Sequence, residues 1–228
     1  MGVLVMNGPQ AGEGPLLQAL LPNAPVVYVD IGAAEPSECS NTWPFYKTGG
    51  YGLLIEPRLD MVTQLIRHRP RDITIPIVAW DRHERLTMNL AAGASSLRPD
   101  WPGPPSTGQT EVCAVPTRQI LDCFPHIRDA CQLCSIDVEG SERQVLEGID
   151  WNIFRPSLII IEYITWDPQG PGIDVSHEWI ECLINAGYVE VARSWLNIIF
   201  GTPAMCSSWE SMKHRVPPPH SNLLRDAK

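Results

Sequence analysis

Short, continuous apolar runs that stop at an acidic residue, with helix-compatible sequence between them, constrain this chain more than any other feature. Val26–Asp30 leads into a Gly-containing turn, Tyr51–Glu56 ends at Pro57, and Ile73–Trp80 ends at Asp81. Leu133–Asp137 precedes a helical segment that starts at Ser141, and Leu158–Glu162 precedes another over about Ser176 to Ala186. Leu59–Arg67 reads as a helix between the second and third runs. Unbroken β-branched stretches are what strands buried on both faces look like. Strands alternating with helices predict a parallel sheet with right-handed crossovers. Tyr188–Ala192 and Leu196–Phe200 lie too close together for a helix and predict an antiparallel hairpin. The expectation is an α/β fold: a mostly parallel, seven-stranded sheet with a C-terminal hairpin and helices on both faces. Thr87–Gln109, rich in Ser, Gly and Pro, is predicted as a long loop. Residues 1–215 are read as one domain and 216–228, with Pro217–Pro219, as a Pro-rich, flexible tail.

Composition narrows the function. The 228 residues are 44% hydrophobic, enough for a continuous core, and carry a net charge of −9. Nucleic-acid binding rests on Lys and Arg neutralising phosphates, so this balance opposes such a partner. No stretch approaches the ~20 apolar residues that span a bilayer, and the N-terminal segment lacks the basic region of a signal peptide. Seven irregularly spaced cysteines suggest free thiols in a reducing compartment, which places the chain in the cytoplasm. Cys131 and Cys134 form a C-x-x-C without a second pair, so they are read as buried small side chains rather than metal ligands.

In an open parallel sheet, ligands bind outside the carboxyl ends of the strands, near the switch point. Here those ends carry Asp30, Glu56, Asp81, Asp137, Glu139 and Glu162. So many carboxylates at one edge call for a cationic or donor-rich ligand. The first turn has one glycine, Gly32, and lacks the G-x-G-x-x-G that lets backbone approach a pyrophosphate. Glu35 adds negative charge there, which disfavours NAD or FAD. A phosphate-free ribose with a positive centre fits better, and S-adenosylmethionine carries an ammonium and a sulfonium. In this reading Glu56 accepts from the ribose hydroxyls, Asp30 pairs with the ammonium, and Gly32 lets the backbone approach the methionine part. An Asp at a strand end also caps the following helix in many folds.

The residues V-D-I-G-A at 29–33, Ser40-Asn41-Thr42 with Phe45-Tyr46, Gly49-Gly50-Tyr51-Gly52, Ile55-Glu56-Pro57 and Arg69-Pro70-Arg71-Asp72 resemble the FkbM family of methyltransferases. So do I-D-V-E-G-S-E at 136–142, V-L-E-G at 145–148, Arg155-Pro156 and Ile159–Glu162. The resemblance runs from about Val26 to Phe200, and the 136–148 stretch is its most specific part. It implies a Rossmann-like class I methyltransferase fold, S-adenosylmethionine as donor, and a hydroxyl on a small natural product or a saccharide as acceptor. It also implies that Ala33, Glu35, Thr42 and Pro57, inside these motifs, flank the cofactor. Many relatives carry two histidines after G-A, where this chain has Ala34-Glu35.

Methyl transfer needs near-attack positioning and somewhere for a hydroxyl proton to go. Glu139 is the candidate base beside the acceptor, with Asp137 contacting the cofactor or fixing the loop. Ser141 with Gln144 forms an S-x-x-Q capping box that sets the start of the next helix. The alternatives are that Glu139 caps that helix and that positioning alone suffices. Ser95 and Ser96, in the long loop after Gly93-Ala94, are candidates to close over the cofactor. Asp137, Glu139 and Glu162 together offer oxygen ligands to Mg²⁺, but no metal is assigned. His177 is an alternative base, and Trp166, Trp195 and Tyr46 are candidate pocket aromatics. The rival functions are a nicotinamide oxidoreductase and a non-catalytic donor-binding module. The short segment before Val26 hints at a pocket left open or completed by a second copy of the chain.

Overall fold

A computed structural model describes residues 8–9, 12–23, 25–91, 94–100, 103–165 and 172–212. The Pro-rich tail, Gly93 and Trp166 lie outside these residues. The strands that organise the molecule are β1 (Val27–Ile31), β2 (Tyr51–Ile55), β3 (Ile73–Ile75), β4 (Val78–Trp80), β5 (Glu84–Leu90) and β6 (Gly108–Pro116). Next come β7 (Leu133–Ile136), β8 (Leu158–Glu162), β9 (Val189–Arg193) and β10 (Asn197–Gly201). Seven of them form one sheet in the order β9-β10-β8-β7-β1-β2-β3. All run parallel except β10, which pairs antiparallel with both neighbours and so forms the expected hairpin with β9. The order reverses between β1 and β7, which opens a crevice at the carboxyl ends of these two strands.

Period-two alternation along each strand loads both faces of the sheet with apolar side chains. Val27, Val29, Ile31, Ile55, Ile136 and Ile161 face one way. They pack against α4 (Thr117–Cys123), α5 (Pro125–Arg128), α6 (Glu142–Glu147) and α7 (Ile180–Asn185). Tyr28, Leu54, Leu133, Leu158 and Ile160 face the other way. They meet α1 (Gly14–Leu20), α2 (Trp43–Lys47) and α3 (Leu59–His68). Each fully buried Ile or Leu adds roughly 1.5–3 kcal/mol, so these two layers hold the sheet together. Among the described residues no helix is long and apolar enough to cross a membrane.

Three local expectations are corrected. Ile73–Trp80 is not one strand: Pro76 has no N–H to donate to a ladder and breaks it. Ile73–Ile75 stays in the large sheet beside β2, whereas Val78–Trp80 pairs with β6 in a separate three-stranded sheet. Thr87–Gln109 is not wholly a loop, because β5 and β6 pair antiparallel from Glu84↔Ala114 to Leu90↔Gly108. Their pairing is non-local, so a window of Ser, Gly and Pro concealed it. The helix expected from Ser176 begins as a 3₁₀ turn, Ser176–Glu178, before α7. Cys131 and Cys134 are buried in the main core, where burial pushes the Cys131 thiol up to about 12.

Candidate functional site

The turn after β1 sets the floor of the site. Gly32 has φ +83°, and a Cβ there would lie 1.8 Å from the Asp137 carbonyl oxygen. Only glycine lets this turn and the loop after β7 cross so closely. Gly32 and Ala33 donate their N–H groups to the Ile55 carbonyl, at 2.9 and 3.3 Å. This ties the ends of β1 and β2 together. Above the turn lies a cavity of about 700 Å³, walled by Asp30, Gly32, Glu56, Asp137, Glu139 and Trp80 among others. Among the described residues the non-glycine residues with positive φ are Ala34, Cys39 and Glu139, and all three line this cavity. Backbone strain therefore concentrates where a ligand would sit.

Glu56 ends β2 and is 4% exposed. Its Oε2 accepts from the Ala34 N–H at 3.0 Å and its Oε1 from the Arg58 N–H at 2.8 Å. Burial raises its pKa, and those two N–H groups work against the rise. Asp30 is also buried, and its Oδ2 accepts from the Thr42 hydroxyl at 2.5 Å. Thr42 in turn accepts from the Arg69 guanidinium at 2.9 Å. Arg69 and Asp72, whose side chains are both out of contact with solvent, form an ion pair of 2.7 Å, and Asp72 also accepts from the Tyr28 hydroxyl at 2.8 Å. Burial lifts the Asp30 pKa, with the Arg69 charge opposing the rise. The Ser40–Thr42 and Arg69–Asp72 segments, far apart in sequence, thus meet behind Asp30 as one network that holds its carboxylate in place.

The transfer end is built from the loop after β7. Because β7 stops at Ile136, Asp137 and Glu139 both reach the cavity wall. Carboxylate oxygens of Asp137, Glu139 and Glu162 all lie within 4.8 Å of one another, the donor set of a hard divalent cation. Burial first, and Asp137 second, push Glu139 and Glu162 well above the usual carboxylate range. Ser141 takes the N-cap position of α6, but no side-chain cap bond forms. Instead the Glu142 Oε1 accepts from Val138 N and Gly140 N, both at 3.2 Å, and the Ser96 hydroxyl donates to the Glu139 carbonyl at 2.7 Å. The expected capping box is replaced by a carboxylate that clamps the loop before the helix. It does so because Glu142 is 2% exposed and its acceptor must be used.

The structure gathers Asp30, Gly32, Ala33, Glu35, Glu56, Pro57, Ser95, Asp137 and Glu139 around the cavity. Thr42 and Ser96 stand one contact behind it. Asp81 pairs with Arg82 at 2.9 Å and is not on its wall. Tyr46 is buried in the second core and stacked on Trp43, Trp195 is 40% exposed, and His177 is exposed in the 3₁₀ turn. Sequence reasoning missed two buried cavity residues. Asn41 is 5% exposed and Trp80 7% exposed, and among the described residues the Asn41 Oδ1 and the Trp80 indole N–H have no partner. Only the S-N-T motif hinted at Asn41, and nothing local marks Trp80.

A family model described as the methyltransferase FkbM domain matches residues 30–190. The chain belongs to the FkbM methyltransferase family. No protein of curated function matches it. Among solved structures it is similar to a TehB-like SAM-dependent methyltransferase from Corynebacterium glutamicum. That match has a TM-score of 0.45 and 11% identity, and covers 85% of this chain and 88% of the other. It is also similar to a precorrin-6y C5,15-methyltransferase from Geobacter metallireducens, with a TM-score of 0.44, 11% identity and coverage of 88% and 92%. This FkbM methyltransferase uses S-adenosylmethionine, and the site fits that group chemically. Asp30, Glu56 and Asn41 offer acceptors to its ammonium and hydroxyls, while the unpartnered Trp80 N–H offers a donor to a ring or carboxylate acceptor.

Proposed function

We propose that this methyltransferase O-methylates a hydroxyl on a small natural product or a saccharide. When bound, the donor supplies an electrophilic methyl group on a sulfonium. Glu56 binds the ribose hydroxyls with the lone pairs left over from its two backbone contacts, and Asp30 and Asn41 face the methionyl ammonium. Ala33, Glu35, Pro57 and Ser95 complete the donor wall, while Thr42 and Ser96 act through Asp30 and Glu139. Asp81, paired with Arg82, is assigned no part.

Glu139 carries the reading of the acceptor side. It lines the cavity on a strained loop, and burial with a neighbouring Asp137 raises its proton affinity. A carboxylate so placed is a better base for a hydroxyl than an ordinary glutamate. The six acids on the wall, Asp30, Glu35, Glu38, Glu56, Asp137 and Glu139, oppose a phosphorylated acceptor.

The test is methyl transfer from isotope-labelled donor to a panel of hydroxyl-bearing natural-product cores and saccharides. Methyl-ether products are expected. Glu139→Gln lowers turnover by about 10²-fold or more while donor affinity stays within about twofold. Label found only on nitrogen, or undiminished turnover in Glu139→Gln, would overturn the proposal.

A further inference from the structure

Trp80 closes β4 with its backbone locked. Its carbonyl accepts from the Thr117 hydroxyl at 3.1 Å, and a Cβ on Gly148 would come within 1.8 Å of that oxygen. Its ring packs in the small core of Val78, Met88, Val112 and Ala114, at the three-stranded sheet. The residue is 7% exposed and lines the cavity, yet among the described residues its indole N–H has no acceptor. An indole nitrogen is a donor only, so no tautomer or flip can satisfy it from within. Buried donors are rarely left unpaired, and an occupant of the cavity that Trp80 lines is one source of an acceptor.

We propose that the Trp80 indole N–H recognises a ring nitrogen of the donor's adenine. This rests on the donor being S-adenosylmethionine. The ammonium and the sulfonium cannot accept a hydrogen bond, which leaves the adenine, the ribose oxygens and the methionyl carboxylate. Beside Trp80 the wall is apolar, with Ile77, Val78, Met88 and Leu97. Such walls suit a flat heterocycle and penalise a carboxylate. Asp81, the acid at this strand end, pairs through Oδ2 with Arg82 and is not on the cavity wall, and its buried Oδ1 has no partner among the described residues. Recognition therefore passes to the residue before it, as a donor rather than an acceptor. Trp179 supplies the comparison: its N–H is also buried and unpartnered, but it packs on Phe200 in the main core, off the cavity.

Calorimetry with S-adenosylhomocysteine and its 1-deaza, 3-deaza and 7-deaza counterparts tests this on wild type, Trp80→Phe and Trp179→Phe. Trp80→Phe keeps an aromatic ring and removes the donor. It is expected to bind S-adenosylhomocysteine about tenfold more weakly, with Trp179→Phe unchanged. One deaza compound is expected to lose about tenfold on wild type and nothing further on Trp80→Phe, because both changes remove the same bond. Equal affinity of wild type and Trp80→Phe would overturn the proposal, as would additive losses for every analogue. Should Trp80→Phe not fold, the analogues on wild type still decide, since full affinity for all three leaves the N–H without a ring partner. Absence of any binding by wild type would reject the donor itself, a distinguishable failure.

Discussion

At Glu56 one ionised carboxylate presents about four lone-pair directions, and the protein uses two of them, for Ala34 N and Arg58 N. The acid is thereby aimed and still able to accept from two ribose hydroxyls. Glu56→Ala removes those acceptors and leaves two backbone donors to find water. The dissociation constant of S-adenosylhomocysteine is expected to rise by about tenfold or more, measured by calorimetry on a variant shown folded by circular dichroism. An unchanged constant would place the ribose elsewhere. Glu56 and Asp30 were legible as single residues because an acid after an apolar run is a local pattern. Trp80 was not, because whether an N–H is paired depends on every atom that surrounds it.

Among the elements, the join between β7 and α6 governs the transfer end. Its four-residue loop, 137–140, is held from below by Glu142 and from the side by Ser96. Burial pushes Glu142 up to about 7 from an ordinary 4.5. Between those values the folded chain keeps a proton that the unfolded chain has released, so this group lowers stability as pH rises from about 5 to 7. The full loss is roughly 3 kcal/mol at most. Glu142→Gln keeps an oxygen for Val138 N and Gly140 N and carries no charge. Its stability in urea titrations at pH 5 to 8 is expected to vary less, exceeding wild type by roughly 1–3 kcal/mol above pH 7. Identical pH dependence of the two proteins would rule out Glu142 as the source. The sequence marked the start of this helix through Ser141. The working contact fell one residue later, because burial of Glu142 rather than local spacing chose it.

For the whole molecule, a ligand that binds only the folded state raises stability by about 2.7 kcal/mol at a concentration one hundred times its dissociation constant. For a chain of 228 residues this is a rise in Tm of roughly 5–10 °C. Thermal scans with S-adenosylhomocysteine are expected to show it, and NADH is expected to leave the midpoint where it was. The reverse pattern would favour the oxidoreductase reading. What this chain determined by itself is its alternation: apolar runs, the helices between them, the acids that follow them and the closing hairpin. These arise from periods of two and 3.6 residues within short windows. Tertiary structure alone decided that Pro76 divides one run between two sheets and that Glu84–Leu90 finds Gly108–Pro116. It alone brought Arg69 under Asp30 through Thr42, and left two cavity-lining residues, Asn41 and Trp80, with polar atoms unmatched among the described residues. Pairing, burial and hydrogen-bond satisfaction are sums over neighbours distant in the chain, and no window of local sequence contains them.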